Sequence, residues 1–249
     1  MSIKLDVLAL AAHPDDTELS CSGTLAALVK QGLKVGVVDL TRGEMGTRGT
    51  PEQRLIEAND ASDIIGLQVR DNLGLPDCGL ENSEIHRKAI IEIVRMYRPD
   101  ICFINSPADR HPDHGNAAKL CIDALFYSGL QKIETHYPTG ESQEPWRPFH
   151  ILHYMQDRPF LPDIVFDISD TIDIKEKAIL AFKSQFNISN PGDEPETYIS
   201  STAFFDNLRA RSRDFGHQIG VQYGEPFKYY GGPIPFRSLT SLLSHKPKK

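Results

Sequence analysis

Leu5-Asp6-Val7-Leu8-Ala9-Leu10-Ala11-Ala12-His13-Pro14-Asp15-Asp16-Thr17-Glu18 joins an almost unbroken apolar run to one imidazole and three carboxylates within six residues. A continuous run at 5–11 is the pattern of a parallel-sheet strand covered on both faces. It is followed at 17–30 by Leu25, Leu28 and Val29 at helical spacing, with Gly32 where a helix C-terminus is capped. Residues 34–40 form a second apolar, β-branched run, so the opening reads strand, helix, strand, and a right-handed βαβ unit follows from that order.

Outward from this unit the alternation continues. Thr50-Pro51-Glu52-Gln53 is a compact helix start, with Thr50 as N-cap, Pro51 at the first helical position and Gln53 placed for a capping box, and that helix runs to Ile65 and stops at Gly66. Strands are predicted at 68–73, 100–104, 149–155 and 164–168, and helices at 84–97, 114–127, 171–186 and 198–216. Asn190-Pro191-Gly192-Asp193-Glu194-Pro195 is a loop by composition. The end, from Gly231, is rich in Pro and Gly and finishes in Lys246-Pro247-Lys248-Lys249, whose lysines read as solvated.

The predicted fold class is therefore α/β: a Rossmann-like, doubly wound, mainly parallel sheet with helices on both faces. A single domain over 1–249 is expected, its core at 3–225 and a C-terminal tail at 226–249. In such sheets ligands bind beyond the carboxyl ends of the strands, at a switch in strand order. A 3-2-1-4 order makes the first and fourth strands neighbours and brings the segments that follow them face to face.

Length and composition narrow the function. A chain of 249 residues, 40% hydrophobic and 24% charged, is long enough for one large, well-buried core. The net charge of -7 and dispersed basic residues argue against nucleic-acid or membrane-surface binding and favour a small-molecule substrate. Four widely spaced cysteines make no disulfide framework. The apolar start is shorter than the ~20 residues of a membrane span and lacks a cleavage site. A cytoplasmic protein is expected.

The chemistry lies in two clusters that follow predicted strands: His13-Pro14-Asp15-Asp16 and Asp109-Arg110-His111-Pro112-Asp113-His114. His13 and Asp16 can reach one ion across a tight turn, and His114 supplies a third ligand from the facing loop. Two imidazoles and a carboxylate with room for water is the composition of a catalytic zinc site. It also fits a ferrous site, so the spacing leaves Zn2+, Fe2+ and other divalent ions open. Asp15, beside the ion but not needed as a ligand, is placed as general base for a water whose pKa coordination lowers to about 7. His111, oriented by Asp113, is placed to protonate a leaving amine or stabilise an oxyanion. Any one of Asp15, Asp16 or Thr17 on its own reads equally well as a helix N-cap; the doubling of the His-Pro-Asp tripeptide favours a metal site.

Arg42, just past the second strand, and Arg54, in a first helical turn where the macrodipole disfavours a cation, are candidate anchors for an anionic substrate group. A solvated surface charge is the commoner reading of a single Arg, and Arg147, beside the lone Trp146, shares that ambiguity.

On Ala12-His13-Pro14-Asp15-Asp16-Thr17-Glu18 and His111-Pro112-Asp113-His114, the chain resembles the PIG-L/LmbE-like family of zinc-dependent N-acetylglucosaminyl deacetylases. It is most similar to the branch that acts on N-acetylglucosaminyl-malate in bacillithiol biosynthesis. Supporting stretches are residues 39–44, Arg54 with Glu57-Ala58, Leu75-Pro76-Asp77, residues 109–114 and 183–186, and the likeness extends over 3–225. The resemblance implies His13, Asp16 and His114 as zinc ligands, Asp15 as base, and His111 as acid or electrostatic partner with Asp113 in support. It also implies Arg54, Arg110 and Arg147 facing the sugar or malate carboxylates, Tyr198 over the reacting carbonyl, and a homo-oligomer, commonly a hexamer.

Rival readings are a dinucleotide-binding oxidoreductase and a non-catalytic sugar- or thiol-binding relative. The first is disfavoured because no G-x-G-x-x-G follows the first strand and the His-Pro-Asp-Asp turn would repel a pyrophosphate. The second is disfavoured because every expected catalytic position is occupied. Within the hydrolase reading, the alternative is an amidase for another N-acyl sugar or a thiol conjugate.

Overall fold

The computed structural model describes residues 3–186, 195 and 197–232. Seven strands form one mixed sheet in the order β3-β2-β1-β4-β5-β7-β6. β1 (Val7–Ala11), β2 (Val35–Thr41), β3 (Val69–Leu75), β4 (Ile101–Ile104) and β5 (His150–Tyr154) pair in parallel. β7 (Gly224–Tyr230) lies antiparallel between β5 and β6 (Ile164–Asp167).

Every residue of β1 and β2 is buried, as their unbroken apolar runs require. Alternate side chains of β1 feed two cores. Val7 and Ala9 join the cluster beneath α1 (Asp16–Lys30), α2 (Pro51–Ile65), α5 (Ile172–Ala181) and α6 (Thr202–Gln218), and Leu8 and Leu10 join the one beneath α3 (Glu84–Tyr97) and α4 (Pro112–Tyr127). Leu8, Leu10 and Leu25 are fully enclosed, each stabilising the fold by roughly 1.5–3 kcal/mol relative to an exposed side chain. No helix among the described residues is long and apolar enough to cross a membrane.

The pairing that matters most is β1 with β4, Val7 opposite Ile101 and Ala9 opposite Phe103. Because the chain winds outward from β1 through β2 and β3 and then returns to β1's other side, the switch in strand order falls between these two strands. The residues just past them are tied together directly: Ala12 N–H donates to Asn105 Oδ1 at 3.0 Å.

The predicted elements between residues 5 and 168 are present, with ends shifted by up to two residues. Thr50 caps α2 by accepting from the Gln53 N–H at 3.2 Å. Three differences lie further on. The helix predicted over 171–186 ends at Ala181, because the Ser184 N–H and hydroxyl both bond the Glu57 carboxylate at 2.7 Å and draw the chain away from the helix axis. The helix predicted over 198–216 is two pieces, a 3-10 turn at Tyr198–Ser200 and α6, broken where extended Ser201 caps α6 by accepting from the Phe204 N–H.

The third difference is β7. The expected tail at 226–249 begins inside an internal strand. Pro226 argues against a central strand on sequence grounds, yet its carbonyl accepts from Met155 N–H on the β5 side. Its missing N–H points the same way and leaves the pairing with β6 intact. Residues 187–194, 196 and 233–249, which include most of the predicted 190–195 loop and the Lys-rich end, lie outside the described residues.

Candidate active site

At the end of β1 the chain turns through His13-Pro14-Asp15 into α1. Asp15, the N-cap, has φ 104°, in the left-handed half of backbone space where a non-glycine residue costs about 1–3 kcal/mol. What holds it there is Arg54 from the first turn of α2, whose Nη2 donates to Asp15 Oδ2 at 2.9 Å and to Pro14 O, while Nη1 reaches Gly43 O at 3.4 Å. Asp16 opens α1 and accepts the His13 N–H on Oδ2 at 3.0 Å, closing the turn on itself.

The facing loop follows β4. His111 caps α4, accepting the Asp113 N–H on its ring Nδ1 at 3.2 Å, with Pro112 at the first helical position. α4 therefore starts two residues before the predicted 114, and His114 projects from its first turn. The His114 Nε2 lies 3.1 Å from Asp16 Oδ1, and Asp16 Oδ2 lies 3.7 Å from His13 Nδ1. One nitrogen each of His13, His111 and His114 falls within 4.8 Å of the others, and ring centroids are 4.7 Å apart for His13 and His111. The two sequence clusters meet.

Several residues to which the sequence reading gave no role build the surround. Asp77, past β3, lies 3.1 Å from His13 Nε2 and is fixed by the Met45 N–H and by Glu44, which accepts the Asp77 N–H. Asp109 Oδ2 contacts His114 Nδ1 at 2.5 Å while its other oxygen accepts the N–H groups of Asp157 and Arg158. Gln156, just past β5, donates to Asp16 Oδ1 at 2.9 Å, and Asn105 donates to Asp16 Oδ2 at 3.0 Å. Each sits on the carboxyl rim of a strand, a positional signal available from the predicted sheet alone.

Five carboxylates, those of Asp15, Asp16, Asp77, Asp109 and Asp113, thus crowd three imidazoles. Burial disfavours the imidazolium of His13, yet hydrogen bonds to Asp113 and Asp77 and the charge of Asp16 lift its pKa to about 10. Burial likewise opposes the cation of His114, but Asp16 and Asp109 raise it to about 9. His111 moves the other way, lowered by burial and by the two neighbouring imidazoles. Burial pushes Asp15 up to about 7 against the pull of Arg54. Asp16 and Asp77, although also desolvated, are held well below the usual range by their imidazole partners. The cluster is built to surround positive charge.

The other predicted residues divide. Arg110 stands at the pocket rim, its guanidinium 4.5 Å from the Tyr198 ring centroid and 3.7 Å from Asp157. The Tyr198 hydroxyl donates to Asp157 at 2.8 Å, and the ring forms part of the same outer wall.

Three expectations, for Asp113, Arg42 and Arg147, are corrected. Asp113 does not orient His111 through its carboxylate: Oδ2 accepts the Cys78 N–H at 2.8 Å and lies 3.4 Å from His13 Nε2, and it is the Asp113 backbone that holds His111. Arg54 lines the pocket and meets the carboxylate of Asp15 there. Arg42 faces a separate cleft beside β3, among Asp39, Asn59 and Asp71. Arg147 donates twice to Phe126 O, at 3.0 and 2.7 Å, at the far end of α4, about 20 Å along the helix from the site at 1.5 Å per residue. Glu18, the last carboxylate of the opening motif, also turns away from the pocket. It bonds Arg70 at 2.6 Å, which is bidentate to Asp39, in a buried triad behind the turn.

The resulting pocket, of about 170 Å³, is floored by His13, Asp15, Asp16 and His114 and walled by Met45 and Arg110.

The profile of the family described as PIG-L: GlcNAc-PI de-N-acetylase matches residues 8–125. The chain is similar to the conserved protein TT1542 from Thermus thermophilus, with 40% identity and a TM-score of 0.81 over 93% of this chain and 97% of that one. It is 27% identical to a diacetylchitobiose deacetylase of Thermococcus kodakarensis, over 91% of this chain and 83% of the relative. It is 29% identical to a probable N-acetyl-alpha-D-glucosaminyl L-malate deacetylase 2 of Bacillus cereus, over 72% and 83%.

Proposed function

Because the chain belongs to the PIG-L family of deacetylases, we propose that it is a metal-dependent hydrolase that removes acetate from an N-acetylglucosamine conjugate. The observation that carries this reading is the meeting of His13 and Asp16 with His114 on the floor of one open pocket, beside a carboxylate clamped by a buried arginine.

The residues fit a divalent cation. The Asp16 carboxylate spans the two imidazoles, Oδ1 3.1 Å from His114 Nε2 and Oδ2 3.7 Å from His13 Nδ1, and nitrogens of His13, His111 and His114 lie within 4.8 Å of one another, a donor set of the kind divalent zinc takes. The negative surround that raises both imidazole pKa values is answered equally well by a metal. His13, Asp16 and His114 would hold the ion, with Zn2+ the preferred identity and Fe2+ compatible with the same donors. His111 offers an alternative third imidazole, but its proton serves the reaction better. When bound, the ion supplies Lewis-acid polarisation of the acetamide carbonyl and lowers the pKa of a coordinated water to about 7.

The chain's own residues do the rest. Arg54 engages Asp15 Oδ2, leaving Oδ1 to take a proton from the attacking water. His111 accepts a backbone N–H on Nδ1, so in its neutral form the proton resides on Nε2, which donates a hydrogen bond to the oxyanion, and the proton taken up by Asp15 passes to the leaving nitrogen as the C–N bond breaks. Asp109 and Asp77 hold the outward nitrogens of His114 and His13, fixing ring orientation. The products are acetate and a free amine.

Within this reading the aglycone is malate, with Arg110 as the accessible rim cation that meets its carboxylates. The Bacillus relative supports this choice, whereas the Thermococcus relative favours a second sugar. A cytoplasmic homo-oligomer belongs to the same proposal. The test is release of acetate from the malate, inositol and chitobiose conjugates by metal-loaded and chelated protein. Metal-dependent turnover greatest on malate is expected, and a preference for chitobiose would overturn the aglycone assignment. Absence of turnover on all three, in protein shown to bind metal, would overturn the deacetylase reading. Asp15→Asn is expected to keep its metal and lose about 10²–10⁴-fold in kcat; near-normal turnover would remove Asp15 as the base.

A further inference from the structure

Two side-chain amides enclose the carboxylate of Asp16. Asn105 follows β4 directly, Gln156 stands two residues past β5, and both are buried. The main chain decides which end of each amide faces Asp16. Asn105 Oδ1 accepts the Ala12 N–H at 3.0 Å and Gln156 Oε1 accepts the Ser106 N–H at 3.3 Å, so each turns its NH2 group the other way. Asn105 Nδ2 donates to Asp16 Oδ2 and to Gln156 Oε1, both at 3.0 Å, and Gln156 Nε2 donates to Asp16 Oδ1 at 2.9 Å. The frame crosses the ends of β1, β4 and β5, three neighbouring parallel strands. Arg211 of α6 braces it by donating to the Gln156 main-chain carbonyl.

We propose that Asn105 and Gln156 are positioning residues that leave Asp16 a single oxygen, Oδ1, with which to hold the divalent ion. The inference rests on the metal-hydrolase reading and deepens it. A carboxylate offers about four lone pairs, two on each oxygen. On Oδ2 both are taken, one by the His13 N–H at 3.0 Å and one by Asn105. On Oδ1 Gln156 takes one, and the other remains on the oxygen that lies 3.1 Å from His114 Nε2. A carboxylate so held ligates through one atom. Ligation through two would fill a further position on the ion, and a catalytic ion with three protein ligands needs its remaining positions for water and the substrate carbonyl. Neutral amides achieve this without adding charge to a site already crowded with five carboxylates. The Gln156 amide nitrogen also lies 3.3 Å from His114 Nε2, so one side chain sets the spacing of two ligand residues.

The test removes each amide in turn, as Asn105→Ala and Gln156→Met, and loads every protein with Co2+, whose visible absorption is strong in four-coordinate sites and weak at higher coordination. Asn105→Ala frees a lone pair of Oδ2. Its cobalt absorption is expected to fall and its kcat to drop about 10–100-fold with KM little changed, while chelator competition shows Zn2+ held at least as tightly as in the wild type. Gln156→Met leaves Oδ2 filled, and is expected to keep the cobalt absorption but lose about 10–100-fold in Zn2+ affinity. A crystal structure of the zinc-loaded wild type is expected to place Oδ1 at about 2.0–2.2 Å from the ion and Oδ2 outside ligand distance. That structure decides the question even where loss of the Ala12 hydrogen bond keeps Asn105→Ala from folding. Oδ2 found as a ligand, or a cobalt spectrum of folded Asn105→Ala identical to the wild type, overturns the proposal and leaves the metal hydrolase standing. Failure of the wild type to bind either Zn2+ or Co2+ overturns both.

Discussion

Replacing Arg54 with methionine tests whether this guanidinium serves the base or the substrate. Its Nη2 is 2.9 Å from Asp15 Oδ2, and both side chains are more than nine-tenths buried. Removing one member of such a buried pair costs about 3–5 kcal/mol, because the remaining charge is left uncompensated. Burial raises Asp15 to about 7, and Arg54 is the largest influence holding it from going higher. The sign follows directly. A general base works ionised, so kcat/KM rises with pH through this limb, and loss of Arg54 moves the limb upward. If only about a third of the lost interaction is expressed in protonation, the displacement is about one pH unit, since one unit corresponds to 1.36 kcal/mol. At pH 7 the ionised fraction then falls roughly fivefold, from about one half to about one in ten.

A metal ion bound nearby lowers the limb in both proteins and leaves the difference between them. The assay is kcat/KM from pH 5.5 to 9.5 on protein of verified metal content, with Arg54→Lys as control. Lysine keeps the charge but cannot bridge Asp15, Pro14 O and Gly43 O together, so it is expected to lower the plateau while leaving the limb near its wild-type position. A guanidinium that gripped substrate would instead raise KM at every pH. An unmoved limb in the Arg54→Met variant, with KM alone increased, refutes the clamp.

In chelated protein, His13 at about 10 and His114 at about 9 are raised above the ordinary imidazole value, so the stability they contribute is present below about pH 6.5 and lost as pH rises through 9–10. The Tm of the metal-free protein should fall over that range, by the equivalent of ~2–4 kcal/mol, and saturating Zn2+ should flatten the curve; a metal-free Tm that holds steady to pH 10 contradicts the charge-demanding cluster. Asp109→Asn loosens His114 and should weaken metal affinity about 10–100-fold in chelator competition, and unaltered affinity would remove Asp109 as its orienting partner. Arg147→Ala should leave kcat/KM within about twofold while removing a cation from the C-terminus of α4, a loss of roughly 0.3–1 kcal/mol; a large rise in KM would return Arg147 to the substrate site.

The sheet order around β1 and the meeting of the two clusters were legible because both depend on patterns that are local in sequence. Unbroken apolar runs mark buried parallel strands, and the return of the chain to the other side of β1 follows from alternating strands and helices. Elements defined by distant partners were less legible. α5 ends early because Glu57 captures Ser184, and nothing near residue 182 signals that. β7 carries a proline that is tolerated because its nitrogen faces the β5 side one residue past the last β5–β7 pair, Tyr154 with Phe227, a fact of register. Asp77, Asn105 and Gln156 each stand on the rim just past a strand, where their position could have been read, but alone each is an ordinary polar loop residue.

Proximity in sequence also misled, and the reason is geometric. His111 and Asp113 are two apart, and across the first turn of a helix side chains at that spacing diverge, since neighbours on one face are three or four apart. The N-cap ring turns back over the helix end and takes the backbone N–H of Asp113, while the Asp113 carboxylate swings across to His13 and the Cys78 N–H. His114, three residues past the cap, is the one that shares a side with Asp16. The same rule applies to the opening motif: in α1 Asp16 faces the pocket, and Glu18, two residues on, faces Arg70. Helical periodicity thus divides each motif between the ion and the scaffold, so adjacent carboxylates of a single motif need not share a role.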